Sequence, residues 1–416
     1  MATPTTPACP VTHGSPDGTH EDRIALHAPE FAADPHRTYD LMRKKFGSLA
    51  PVELAPGVPA TLVIGYYTAV RVLHDPDHFR ADPRVWQQTL SPDCPIKALV
   101  EWRPNALRSS GPDHARYRSA TIDAIDAVDL HKIHRTVSEF AVPLINSFCD
   151  TGHADLISEY VFPTVFNALN AMVGCSPDIG EELAAAFADI FDGCDAAAAN
   201  ATIGSALSRL IELKRSDPDE DIATALVEHP TRLTDEELIH QLVTIYGAGS
   251  EPGANLITNA LRLMLTDDRF GSNLLGGQLS ARAALDEVLA RDSPLANYCL
   301  SYPRQPILLD GTWLPAHQPV VISMAACNND PAVSGGDITG NRSHLSFSVG
   351  PHACPAEKAV LLIAESAIEQ LLDALPDMEL ACRPEELVWR PGAFHRSLHT
   401  LPVEFPPTPP LNPPLS

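Results

Sequence analysis

Apolar residues recur with helical spacing through most of the chain and alternate with polar ones only in a few short stretches. Residues 35–46 put Tyr39, Leu41 and Met42 on the buried side of a predicted helix. Val52-Glu-Leu and Ala60-Thr-Leu-Val-Ile flank Pro56-Gly57 and predict a β-hairpin. A short helix over 67–74 closes at Asp75-Pro76. Residues 79–111 carry Pro83, Pro92, Pro95 and Pro104 without a clear period, and so long a stretch inside a compact domain is usually functional or mobile. A helix starts at Asp113, and helical patterns follow over 130–149, 156–173, 179–191 and 197–214, helped by alanine-rich runs. Thr234 and Glu237 form a capping box that opens the longest predicted helix, 235–266. Residues 307–315 and 319–324 predict a hairpin, followed by a short helix at 324–327, and an apolar helical run covers 357–375.

At 416 residues the chain can bury a sizeable core, with 44% hydrophobic and 20% charged residues. A formal net charge of −24 argues against nucleic acid or an anionic membrane as partner, since phosphate contacts need clustered Lys and Arg. The nine cysteines are widely spaced, with no Cys-x-x-Cys pair, which predicts reduced thiols in a cytoplasmic setting. No basic region followed by an apolar stretch stands at the N-terminus, and no run approaches membrane-span length. Residues 1–25 predict a disordered arm, and 406–414 an extended Pro-rich tail.

The chemistry gathers at Phe347-Ser-Val-Gly-Pro-His-Ala-Cys-Pro-Ala356, just before the apolar helix. A cysteine there gains from backbone N–H groups and from the positive end of the following helix, both of which stabilise a thiolate. Gly350 permits a tight turn. A buried inert cysteine is the commoner case for an isolated thiol. The Phe-x-x-Gly-x-His-x-Cys spacing resembles the cytochrome P450 family, and the resemblance runs from about Phe31 to Phe405. It implies that Cys354 is the proximal ligand of a haem b iron, with Phe347 against the porphyrin. Ser348 and Ala356 stand where the family often has glycine. His114 and Arg118, at i,i+4, share a helix face and match the family's propionate-binding pair. His352 and Arg304 are further propionate candidates, although Ser301 aligns better with the family's usual arginine.

In the family the long helix crosses the haem with Ala-Gly-x-Glu/Asp-Thr at its centre; this chain has Ala248-Gly249-Ser250-Glu251-Pro252. Ala248 and Gly249 are small enough for close approach of the macrocycle. Glu251 falls on the acid position, and Pro252 replaces the threonine whose hydroxyl helps deliver protons. Proton delivery then passes to Glu251, Ser250 or water, or the substrate supplies the hydroxyl, or the reaction couples radicals without inserting oxygen. Glu-x-x-Arg is also altered: Glu287 is present, Ala290 stands at the arginine position, and Arg291 is one residue late. The chain is thus similar to a soluble actinobacterial subset lacking that arginine.

The resemblance implies a mainly α fold with small β-sheets, one haem-thiolate domain over 26–405. Its pocket is expected to be lined by Trp86, Trp102, Phe394 and His395, with Ile96, Leu99 and Val100 as further candidates. Expected partners are ferredoxin and ferredoxin reductase. The expected reaction is natural-product oxidation, preferentially oxidative cross-linking of aromatic side chains in a peptide. Hydroxylation of a small molecule and a non-catalytic haem sensor are the alternatives.

Overall fold

The computed structural model describes residues 23–191, 196–271, 279–335 and 342–411. The expected N-terminal arm lies outside them as far as residue 22, and its boundary moves: Ile24–Ala25 is already a strand, parallel to Leu49–Glu53. Residues 412–416 of the tail also lie outside.

Asp235–Thr266 is the axis of the molecule. The Thr234 hydroxyl accepts from the Glu237 N–H at 3.3 Å, and the Glu237 carboxylate accepts from the Thr234 N–H at 2.8 Å. Glu237 also pairs with Arg116 and accepts from the Tyr117 hydroxyl at 2.9 Å. Burial alone would raise this carboxyl; the bonds from Arg116, the Thr234 backbone and Tyr117 prevail and hold it at about 2. Against this axis pack Phe162–Val173 and Glu357–Ala374, with Ile133–Asn146 packed on both of them, and their buried faces form one apolar core. The carbonyl end of Phe162–Val173 closes on Gly174 in the left-handed conformation.

The main sheet has six strands in the order Ile24–Ala25, Leu49–Glu53, Pro59–Val63, Val320–Ser323, Asn297–Pro303, Phe79–Arg80. Leu49–Glu53 and Pro59–Val63 form the expected hairpin. Two expectations change. Val320–Ser323 does not join the stretch before it; it lies between Pro59–Val63 and Asn297–Pro303 in the main sheet. The hairpin there is Ile307–Leu309 with Thr312–Leu314, because Asp310-Gly311, both at positive φ, suffices for a tight turn. Leu41 is 55% exposed. Tyr39 and Met42 share one face of Pro35–Phe46 at i,i+3, and Leu41 falls off it.

Glu287 does not pair with Arg291; Arg269 reaches it at 2.7 Å from the surface. The C-terminal end of the helix Ala281–Arg291 is tied down by neutral amides, while Arg282 and Asp286 earlier in it pair with Glu365 and Arg342. Asn328 donates to the Leu289 carbonyl and to the Ser346 hydroxyl, each at 3.0 Å, and accepts from the Leu345 N–H at 2.7 Å. Asn329 donates to the Arg291 carbonyl at 2.7 Å. Just beyond the helix, Asp292 gathers Arg396 and His36, both at 3.2 Å, and Arg262 at 3.8 Å.

Candidate functional site

The cysteine loop is folded by its own backbone. The Cys354 N–H donates to the Phe347 carbonyl at 2.8 Å, and the Ser348 N–H to the Leu345 carbonyl at 2.7 Å. Gly350 has φ +76°, and a Cβ there would meet the Leu73 carbonyl oxygen at 2.4 Å, so only glycine fits. Ser348 has φ +58° without being glycine. Its hydroxyl bonds to the thiol of Cys299, which has φ +50° in the bulge between Tyr298 and Ser301. Two unfavourable backbone conformations thus meet beside Cys354, a common property of functional sites.

Cys354 ends this loop ahead of the helix Glu357–Ala374, with the Ala356 N–H on its sulfur. Burial pushes the thiol up, while the Ala356 bond and the charge of Arg118 act in the opposite direction. The sulfur faces a cavity of about 2440 Å³, its open mouth included. Phe347, Ser348, His352, Cys299 and Arg118 share that wall; Ala248, Gly249, Pro252 and Gly253 form the wall supplied by the long helix. The rest is largely apolar, from Leu99, Val165, Leu169, Phe187, Leu256, Leu295 and Phe394.

His114 and Arg118 project from one face of Gly111–Asp126. The His114 ring lies 4.1 Å from that of His352, centroid to centroid, and its buried Nε2 has no hydrogen-bond partner. Arg118 donates to the Ala353 carbonyl and has no carboxylate within ion-pairing distance among the described residues. Burial, then the neighbouring charges of His114, Arg118 and Arg108, hold His352 down to about 3. A sulfur on one wall, with Arg118 lacking a carboxylate partner among the described residues and His114 Nε2 lacking any, fits an iron porphyrin with two carboxylate arms.

Several expected residues fall elsewhere. Arg304 is exposed and does not line the cavity. Trp86 is buried against Tyr302 at 5.3 Å, and Trp102 lies under Arg84 at 5.1 Å, so both seal the segment over residues 79–111 and neither lines the cavity. Of the three further candidates in that segment, Leu99 lines it, while Ile96 and Val100 do not. Phe394 and His395 reach it from the turn of the bridge pairing Trp389 with Leu398. Burial lowers His395 against the raising charge of Glu251.

The centre of the long helix divides. Pro252 faces the cavity; Ser250 and Glu251 do not line it. Ser250 is fully buried with an unpartnered hydroxyl, and Glu251 is paired to Arg390 at 3.2 Å. Gly249 owes its size to packing as well, since a Cβ there would meet Leu169 Cδ2 at 3.0 Å. Residues missed in the sequence are Cys299, Tyr298, Arg103 and Arg108, all on the cavity wall. Nothing in their local pattern marks them, because they reach one cavity only when segments distant in the sequence come together. The segment over 79–111 is pinned by Gln241, which donates to the Pro104 carbonyl at 3.0 Å, and by Asn105, which donates to Thr244 at 2.8 Å.

No family model matches the chain. It is 30% identical over 391 residues to the cytochrome P450 monooxygenase PikC of Streptomyces venezuelae, covering 90% of this chain and 92% of that protein. It is 27% identical to the vitamin D(3) 25-hydroxylase of Pseudonocardia autotrophica, covering 94% and 98%. Among solved structures, CYP154C4 from Streptomyces sp. ATCC 11861 superposes with TM-score 0.83 at 26% identity, over 92% of this chain and 98% of that one. The P450 monooxygenase TamI with tirandamycin C bound superposes with TM-score 0.78 at 26% identity, over 92% and 100%. No helix among the described residues is long and apolar enough to cross a membrane. With this fold, these relatives and a cysteine-walled cavity, the chain belongs to the cytochrome P450 family, enzymes whose cofactor is haem b.

Proposed function

We propose that Cys354 ligates the haem iron, that His114, Arg118 and His352 hold propionate, and that the enzyme oxidises a large, mainly apolar natural product. The observation that carries this reading is the convergence of the Cys354 sulfur, the Arg118 and His352 side chains and apolar walls on one cavity. Bound haem supplies the oxidising power, drawing on O2 and on electrons passed from ferredoxin reductase through ferredoxin. The chain's own residues do the rest. The Ala356 N–H and the helix behind it stabilise the sulfur anion. Phe347 covers the sulfur side, and the apolar walls exclude water and orient the substrate.

Within that chemistry we assign oxidative coupling of aromatic groups in a peptide. Pro252 brings no hydroxyl to the cavity, Ser250 is turned away, and Glu251 is held by Arg390. Protons therefore come through ordered water or through the substrate itself. Coupling joins two aromatic groups with loss of two hydrogens and transfers no oxygen to the product. A second reading, hydroxylation, is favoured by relatives named as hydroxylases.

The test has two stages. The reduced, CO-treated protein should show the absorption typical of thiolate ligation, and Cys354→Ser should abolish it; absence of haem from the wild type would overturn the assignment. Product mass then decides between a loss of two hydrogens and a gain of one oxygen. Haem binding without turnover, with any precursor and reductase, would leave a haem sensor.

A further inference from the structure

Arg108 is a buried cation with no acid in ion-pairing reach among the described residues. It ends the short turn Ala106–Arg108, where its own N–H donates to the Asn105 side chain at 2.9 Å, and it is 5% exposed. One guanidinium nitrogen donates to the Leu99 carbonyl and to the Tyr298 hydroxyl, the latter at 2.5 Å. The guanidinium carbon stands 5.5 Å from the centre of the Tyr298 ring. All these partners are neutral. Among the described residues no carboxylate lies within ion-pairing distance of Arg108, whereas its neighbour Arg103 has Glu101 at 3.2 Å.

Burying a guanidinium without a counter-charge is unfavourable, and proteins seldom leave such a group unanswered. The fork also has more donors than its neighbours accept, since Nε and Nη1 make no hydrogen bond among the described residues. Arg108 lines the same cavity as Cys354, Arg118 and His352. An anion arriving in the cavity is the group that would balance it. A planar fork suits a carboxylate best, because two parallel N–H···O bonds can form.

We propose that Arg108 binds a carboxylate of the molecule filling the cavity, either a haem propionate or an acid group on the substrate. The inference rests on reading this cavity as the haem pocket, and it is specific to the residue. His114, Arg118 and His352 answer one carboxylate; Arg108 stands on a different segment and answers another.

The test compares holoenzyme of the wild type, Arg108→Gln and Arg108→Lys. Glutamine keeps hydrogen-bonding capacity without charge, and lysine keeps the charge without the fork. Haem loss is followed by transfer to apomyoglobin, and calorimetry compares dodecanoate with methyl dodecanoate as probes. For a propionate partner, Arg108→Gln loses haem about tenfold faster or more, Arg108→Lys much less, and the acid-to-ester preference stays put. For a substrate acid, haem loss is unchanged and dodecanoate affinity falls about tenfold in Arg108→Gln while the ester is unaffected. If both readouts stay within about twofold of wild type, or if lysine behaves as badly as glutamine in both, the charge has no anionic partner and the proposal is overturned. Should Arg108→Gln not fold, Arg108→Met against wild type removes the charge and gives the same two readouts, and no change in either overturns it. A wild type without haem would sink the haem-pocket reading by itself, and the acid-to-ester comparison would still decide on Arg108.

Discussion

The Asn328 amide donates to the Ser346 hydroxyl at 3.0 Å and so fastens the helix Ala281–Arg291 to the cysteine loop. Ser346 itself donates to the Leu289 carbonyl at 2.5 Å, and Asn328 donates to the same oxygen. The connection is neutral throughout. It occupies the region where the family resemblance leads one to expect ionic locking from Glu287 and an arginine.

Removing the Asn328 side chain should therefore be expensive. Asn328→Ala breaks three hydrogen bonds and takes the Leu345 N–H's acceptor away, while the Leu289 carbonyl keeps only the Ser346 hydroxyl. The expected loss is about 2–4 kcal/mol of stability with faster haem release, read by thermal unfolding and haem transfer. Arg291→Ala, by contrast, should leave both readouts unchanged.

Asp292 carries the ionic part of the scaffold. Burial alone would raise its carboxyl; the His36 bond and the charges of Arg396, His36 and Arg262 prevail and hold it below the usual range. A depressed carboxyl contributes stability above its unfolded value of about 3.9, and that contribution is lost as pH falls through the lower folded value. Asp292→Asn should be less stable than wild type at neutral pH, with the two melting curves converging as pH drops below about 4. A constant gap down to the acid limit would refute this.

Pro252→Thr places a hydroxyl and a backbone N–H at a position facing the cavity. Restoring the helix bond should stabilise the protein, by up to about 3 kcal/mol if the present kink is uncompensated. The hydroxyl should also move electrons from peroxide release into product. Unchanged peroxide yield per NADPH would show that proton delivery never depended on this position.

The two loop positions should respond in opposite directions. Gly350→Ala drives a methyl into the Leu73 carbonyl and should abolish haem retention. Ser348→Gly relieves a left-handed non-glycine residue, worth about 1 kcal/mol, less the lost contact with Cys299. A melting temperature no higher than wild type would mean that the Cys299 contact outweighs the strain.

What could be read from the sequence was whatever repeats along it or sits in a short motif. The long helix was predicted to its ends because the Thr234–Glu237 box marks its start locally. The cysteine loop was legible for the same reason. Arg304 was misplaced because proximity in sequence to a hairpin says nothing about which side of the sheet a side chain leaves from. Trp86 and Trp102 looked like pocket residues by type, yet Tyr302 and Arg84 claim them. Arg108 and Cys299 were invisible because a 3₁₀ turn and a β-bulge aim them.

Pro252 also changes what the cavity offers a guest. Lacking an N–H, it cannot satisfy the carbonyl of Ala248 four residues earlier, and both residues stand on the cavity wall. The backbone ladder is thus one rung short beside the cavity, at the point where the family's threonine would bring both an N–H and a hydroxyl.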